Sequence, residues 1–146
     1  IAALEVEAAD VGAAGHLEAA HGQHVGAVRD RLEHRLVVRQ TFARLVDGRI
    51  VVEVAKDCAR QSAINALAAA QSVIGSLDRV TRVVKVLGFV ASAPGFTAQP
   101  AVINGASELL LEIFGDAGRH ARSAVGVSGL PINAPVEVEM VLEVAD

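Results

Sequence analysis

Apolar and polar positions alternate most regularly near the C-terminal end of the chain. Between residues 136 and 144, Val136, Val138, Met140, Leu142 and Val144 share one side of an extended segment. Glu137, Glu139, Val141 and Glu143 share the other. A period of two predicts a strand with one buried face. Residues 79–91 read differently. Val84, Val86 and Val90 fall on one face and Val83, Leu87 and Phe89 on the other, so this predicted strand is covered on both sides. Residues 55–75 predict a helix: the segment is Ala-rich, Ile64, Leu67 and Ile74 stand near helical spacing, and Gly75 supplies the stop. A second helix is predicted from Pro100, suited to a first turn, to about Phe114, with Val102, Ala106, Leu109 and Ile113 as its buried stripe and Gly115 after it. Residues 121–128 read as a short strand.

The first 50 residues carry a weaker pattern. Residues 3–20 suit an Ala-rich helix with a thin apolar stripe, and Leu36-Val37-Val38 suits a strand core. Asp47-Gly48 is a turn signal that would place a strand at Ile50-Val51-Val52. His16, His21, His24 and His34 all fall here, beside an excess of Arg and Gly. A shifted reading frame over residues 1–43 would account for that bias; an intact mass matching this sequence would refute it.

The order strands, helix, strand, helix, strand, strand predicts one α+β domain over 1–146: a sandwich with a mixed β-sheet and two helices packed on one face. The apolar second face of the sheet then needs its own cover, and a ring of identical subunits is the usual solution.

Composition narrows the function classes. The chain has 146 residues, 52% of them hydrophobic, and a mean hydropathy of +0.42. No uninterrupted apolar stretch reaches the length of a membrane span, and residues 1–28 show no secretory pattern. A net charge of −4, with 3% aromatics and neither Trp nor Tyr, argues against nucleic acid as a partner. Cys58 stands alone, which fits a reducing, cytoplasmic location and a small buried side chain. His21 and His24 lack the company a metal site needs, Gly12–Gly15 lacks the context of a phosphate loop, and no cofactor is expected.

Candidate chemistry gathers in His120-Ala121-Arg122-Ser123-Ala124-Val125-Gly126-Val127, then Leu130-Pro131, then Val136-Glu137-Val138-Glu139. An arginine beside a strand can bind a carboxylate through two parallel hydrogen bonds. A glutamate on the neighbouring strand could activate water. The plainer reading makes Arg122 a surface residue paired with Glu137, and Glu137 one of three acids on a solvated face. Asn104, mildly unfavourable inside a helix, suits a cleft. Ser123 lacks the surroundings of a nucleophile and contributes its backbone if anything.

These pieces, with Val83-Val84-Lys85-Val86, Gly88-Phe89-Val90, Asn104-Gly105-Ala106-Ser107 and Phe114-Gly115, make the chain resemble the YjgF/Rid family, the reactive intermediate deaminases. The resemblance covers residues 51–146 well and 1–50 poorly. It implies a chorismate-mutase-like α+β fold, a homotrimer with clefts between subunits, and hydrolysis of small 2-imino acids to 2-keto acids and ammonia. It also implies roles. Arg122 would hold the substrate carboxylate and Glu137 would position water. Ser123 and Ala124 would offer backbone groups, and Asn104, Phe89 and Pro131 would line the cleft. The chain departs from the family pattern at Ala124, where deaminase members carry Cys. That favours a second reading, a non-catalytic binder of small carboxylates. The loop Ala91–Thr97 marks a separate branch.

Overall fold

The computed structural model describes the backbone of residues 35–42 and, with side chains, residues 51–145. The expected helix at 3–20 and the turn at Asp47-Gly48 lie outside it, as do residues 1–34 and 43 of the 1–43 segment whose bias a shifted reading frame would explain. Strand β1 (Arg35–Phe42) contains the expected Leu36-Val37-Val38. Helix α1 (Val52–Ile74), β2 (Val80–Ala91), α2 (Gln99–Phe114), β3 (Ala121–Val127) and β4 (Val136–Val144) follow. The sheet runs β1-β4-β2-β3. β4 is antiparallel to β1 and β2, whereas β3 lies parallel to β2. Parallel strands require a crossover, and α2 provides it. The result is the expected mixed α+β sandwich, with α1 over β1 and β4 and α2 over β2 and β3.

Four expectations are corrected. Val51 and Val52 do not form a strand. Val51 is the extended residue at the start of α1, and its carbonyl accepts from the Ala55 amide at 3.0 Å. Ile64 is 41% exposed. The buried arc of α1 consists of Ala55, Cys58, Ala59, Ser62, Ala63, Ala66, Leu67 and Ala70, and Ile64 points the opposite way at 100° per residue. Ile113 lies on the buried arc of α2 but in its last turn, where no described residue covers it, and it is 48% exposed. In β2, Val83 is buried and Val84 is not. The register with β4 slips between Val80 and Arg82 and again between Val83 and Lys85. Each bulge inserts a residue and reverses the alternation. Val80, Val83, Val86 and Val90 thereby all face the helices.

Small side chains set the layer spacing. A Cβ on Gly105 would strike the Lys56 backbone carbonyl, and one on Gly88 would strike the Ile103 side chain. Gly105 lets α1 and α2 approach backbone to backbone; Gly88 lets α2 settle on the sheet. Ile103, Leu110, Met140, Leu142, Val138 and Val86 fill the space between, all fully buried. Two exposed ion pairs, Lys56–Glu108 at 2.7 Å and Arg60–Glu112 at 2.9 Å, bridge the helices. Exposed pairs of this kind contribute at most about 1 kcal/mol each.

Candidate active site

β3 is the edge strand beside β2 among the described residues, and its register fixes which way each candidate points. Arg122 lies across from Val86, which lies across from Met140. Val86 and Met140 face the helices, so Arg122 starts from the helix side of the sheet. It reaches α2: its Nη1 donates to Asn104 Oδ1 at 2.7 Å and to Ser107 Oγ at 3.1 Å. Asn104 and Ser107 share one face of α2 at i, i+3 spacing.

His120 precedes β3 and sits two residues from Arg122, hence on the same side. Its Nδ1 lies 2.6 Å from the Gly118 carbonyl oxygen. A carbonyl only accepts, so Nδ1 carries the proton. Its Nε2 lies 3.0 Å from Ser107 Oγ, and in this tautomer the Ser107 hydroxyl donates to it. Burial pushes the His120 imidazole below its ordinary value of 6.5. The Gly118 hydrogen bond opposes this, and the Arg122 charge reinforces it. The ring is therefore neutral at neutral pH.

Ser107, Leu111, Arg119, His120 and Arg122 line a cavity of about 270 Å³, suited to a ligand of a few heavy atoms. Arg119 is engaged by Asp116 at 3.0 Å. Arg122 is exposed, and no carboxylate among the described residues pairs with it; its observed partners are neutral. Both Nη1 hydrogens are spent on them. The Nε and Nη2 hydrogens, which form the side-on fork for a carboxylate, remain.

The other candidates lie elsewhere. Glu137 faces Phe89 across the β4–β2 register, and Phe89 faces Val125. These residues occupy the sheet face away from the helices. Glu137 therefore does not meet Arg122 within one chain, and the expected pairing of the two is not found. Nor is Glu137 solvated: it is 7% exposed. Ser123, opposite Leu87, also points to the open face, whereas Ala124, opposite Gly88, packs against the core. Pro131 lies beyond the far end of β3, in a 3-10 turn where Ile132 and Asn133 adopt φ of 52° and 58°. Ile132 is a β-branched residue in the left-handed region, an uncommon conformation.

Thus Arg122 and Asn104 come together, Phe89 and Glu137 come together on the opposite face, and Pro131 joins neither pair. Ser107 and His120 were missed as functional candidates. The signal available was positional: Asn104 with Ser107 at i, i+3, and His120 with Arg122 at i, i+2. The described residues contain no group of side chains arranged to hold a metal, and none of their helices is long and apolar enough to cross a membrane.

A chorismate-mutase-like α+β domain with an arginine-anchored pocket defines the class. Residues 32–144 match the family model described as "YjgF/chorismate mutase-like, putative endoribonuclease", and the chain belongs to that family. It is 52% identical over 86 residues to Protein TCP17 of Trypanosoma cruzi, a match covering 58% of this chain and 54% of that protein. The chain thus spans about half the length of this curated relative. Among solved structures, it resembles a protein of unknown function from Agrobacterium tumefaciens at 39% identity, covering 77% of each chain with a TM-score of 0.72. It also resembles RidA from an Antarctic Psychrobacter at 26% identity, covering 86% of this chain and 92% of that one, with a TM-score of 0.55.

Proposed function

We propose that the chain hydrolyses small 2-imino acids to 2-keto acids and ammonia, without a cofactor, as a homotrimer with its sites between subunits. The observation that carries this reading is Arg122. Its charge opens onto a small cavity, its neutral partners hold it in place, and its free edge matches one carboxylate. Asn104 orients the guanidinium. Glu137 of a neighbouring copy would position the attacking water, because in its own chain it occupies the other face of the sheet. Phe89 lies beside it and would contribute an apolar wall. Imines hydrolyse spontaneously, so orientation of substrate and water supplies much of what is needed.

The second reading is a binder of small carboxylates without turnover. Ala124 favours it, because its methyl packs on the core and offers no reactive group.

One experiment separates them. 2-Iminopropanoate and 2-iminobutanoate are generated in situ by an amino-acid oxidase in the presence of semicarbazide, and semicarbazone formation is followed. The wild-type protein should suppress it. Arg122→Ala should lower kcat/KM by about 10- to 150-fold, as expected when a hydrogen-bonded charge worth about 1.5–3 kcal/mol is lost. A folded wild-type protein that leaves semicarbazone formation unchanged, yet is thermally stabilised by 2-ketobutyrate, would establish the binder instead.

A further inference from the structure

Building on Arg122 as the carboxylate anchor, we propose that Ser107 and His120 form a hydroxyl–imidazole proton relay serving imine hydrolysis in the same pocket. The hydrogen-bond chain is continuous. Gly118 fixes the ring through Nδ1, Ser107 donates to Nε2, and Arg122 donates to Ser107. The anchor for the ring is itself confined. Gly118 is buried, and a Cβ there would collide with the Leu110 carbonyl of α2. The Nε2 lone pair is therefore aimed at Ser107. The Arg122 guanidinium, touching the same hydroxyl oxygen, stabilises the negative charge that develops there as the proton leaves.

Burial first, and the Arg122 charge after it, keep the ring a base against the opposing Gly118 hydrogen bond. Arg122 and Arg119 line the cavity with it, and Asp116 is occupied by Arg119. Lys85 of β2 lies opposite Ala121, the residue next to His120. The α2 side chains lining the cavity, Ser107 and Leu111, carry no charge. Burial and the Arg122 charge both favour the neutral ring.

The chemistry balances in two passes. In the addition, water oxygen bonds to the imine carbon and the C=N π pair moves to nitrogen. A water proton passes to Ser107 Oγ as Ser107 gives its own to His120 Nε2. The relay then returns a proton to nitrogen, leaving a neutral carbinolamine. In the elimination, the relay takes the proton of the new hydroxyl, C=O forms, and the C–N bond breaks. The nitrogen receives the stored proton and departs as ammonia. Oxygen loses two protons, nitrogen gains two, and no oxidant or reductant enters. Glu137 would orient the water, and His120 would carry the proton.

A bond that merely ties α2 to β3 would look the same at rest, so the test must read chemistry. Wild type, His120→Gln, Ser107→Ala and Arg122→Ala are compared on 2-iminobutanoate across a pH series, with melting temperatures recorded for each. His120→Gln keeps an acceptor for Ser107. It should lower kcat by about 10²- to 10⁴-fold, the usual range for a lost acid–base group, while KM stays near wild type. The wild-type rate should fall as pH drops through an apparent pKa below 6.5, and this acid limb should vanish in His120→Gln. Ser107→Ala, which cuts the chain at its middle, should also lower kcat. If both folded variants keep wild-type kcat and the acid limb while Arg122→Ala loses its expected factor of about 10 to 150 in kcat/KM, the relay is overturned and the anchor stands. If wild type itself hydrolyses no imine, the deaminase reading falls and takes the relay with it.

Discussion

Single side chains carry most of the consequences here, and Ser62 offers one that is independent of the site. It is fully buried on the Ala-rich face of α1, and its hydroxyl has no hydrogen-bond partner among the described residues. A buried unsatisfied hydroxyl costs about 1–3 kcal/mol. Replacing it with Ala removes that group and leaves a side chain that the neighbouring Ala59, Ala63 and Ala66 show to fit. Ser62→Ala should therefore raise the melting temperature by several degrees, measured by calorimetry; a lowered one would mean the hydroxyl is satisfied. Arg122 stood out in the sequence as a candidate because of the Ala-Arg-Ser motif around it, and Asn104 because a mid-helix Asn is slightly out of place. Ser107 and His120 did not. Serine inside a helix and a lone histidine before a strand are unremarkable until tertiary structure brings two elements, thirteen residues apart in sequence, to 3.0 Å.

At the scale of elements, the two helices lock together because their contact lacks side-chain bulk. Gly105 is a point of close approach, with the Lys56 carbonyl crowding the place where its Cβ would stand. Gly105→Ala would improve helix propensity by about 1 kcal/mol. The collision is with backbone, however, so the helices must separate, and overpacking of this kind costs about 1–3 kcal/mol. The expected net result is a lower denaturation midpoint in urea with an unchanged slope; a higher midpoint would show that the interface has room. The same feature explains a misreading. Large apolar residues ordinarily mark a buried helix face, but in α1 the close approach selects Ala, Cys and Ser and leaves Ile64 outside. Helix limits, by contrast, were readable to within a few residues, since Pro100, Gly75 and Gly115 act locally. The facing of β2 was not, because its bulges are set by pairing with β4, a strand more than fifty residues away.

At the scale of the molecule, the sheet separates two groups that the proposed reaction needs together. Arg122 reaches toward α2 from one face, and Glu137 stands on the other beside Phe89. No rotamer change carries either side chain through a sheet whose middle rows are packed. If both act on one substrate, they come from different copies, which joins the proposed activity to the proposed trimer. The half-buried Leu87 and Phe89 and the exposed Val125 supply an apolar surface for that contact. This can be tested without a structure of the assembly. Arg122→Ala should lose about 10- to 150-fold alone, and Glu137→Gln should also fall well below wild type. Co-expressed in equal amounts, they should form mixed rings in which about a quarter of the inter-subunit sites combine an intact Arg122 with an intact Glu137. Imine hydrolysis should return to about that fraction of wild type, and sedimentation should show trimers throughout. A mixture as inactive as its components would mean that Glu137 works beside Arg122 of its own chain or not at all. Glu137→Gln tested alone separates these two outcomes: if it keeps wild-type activity, the proton relay through His120 supplies the base unaided.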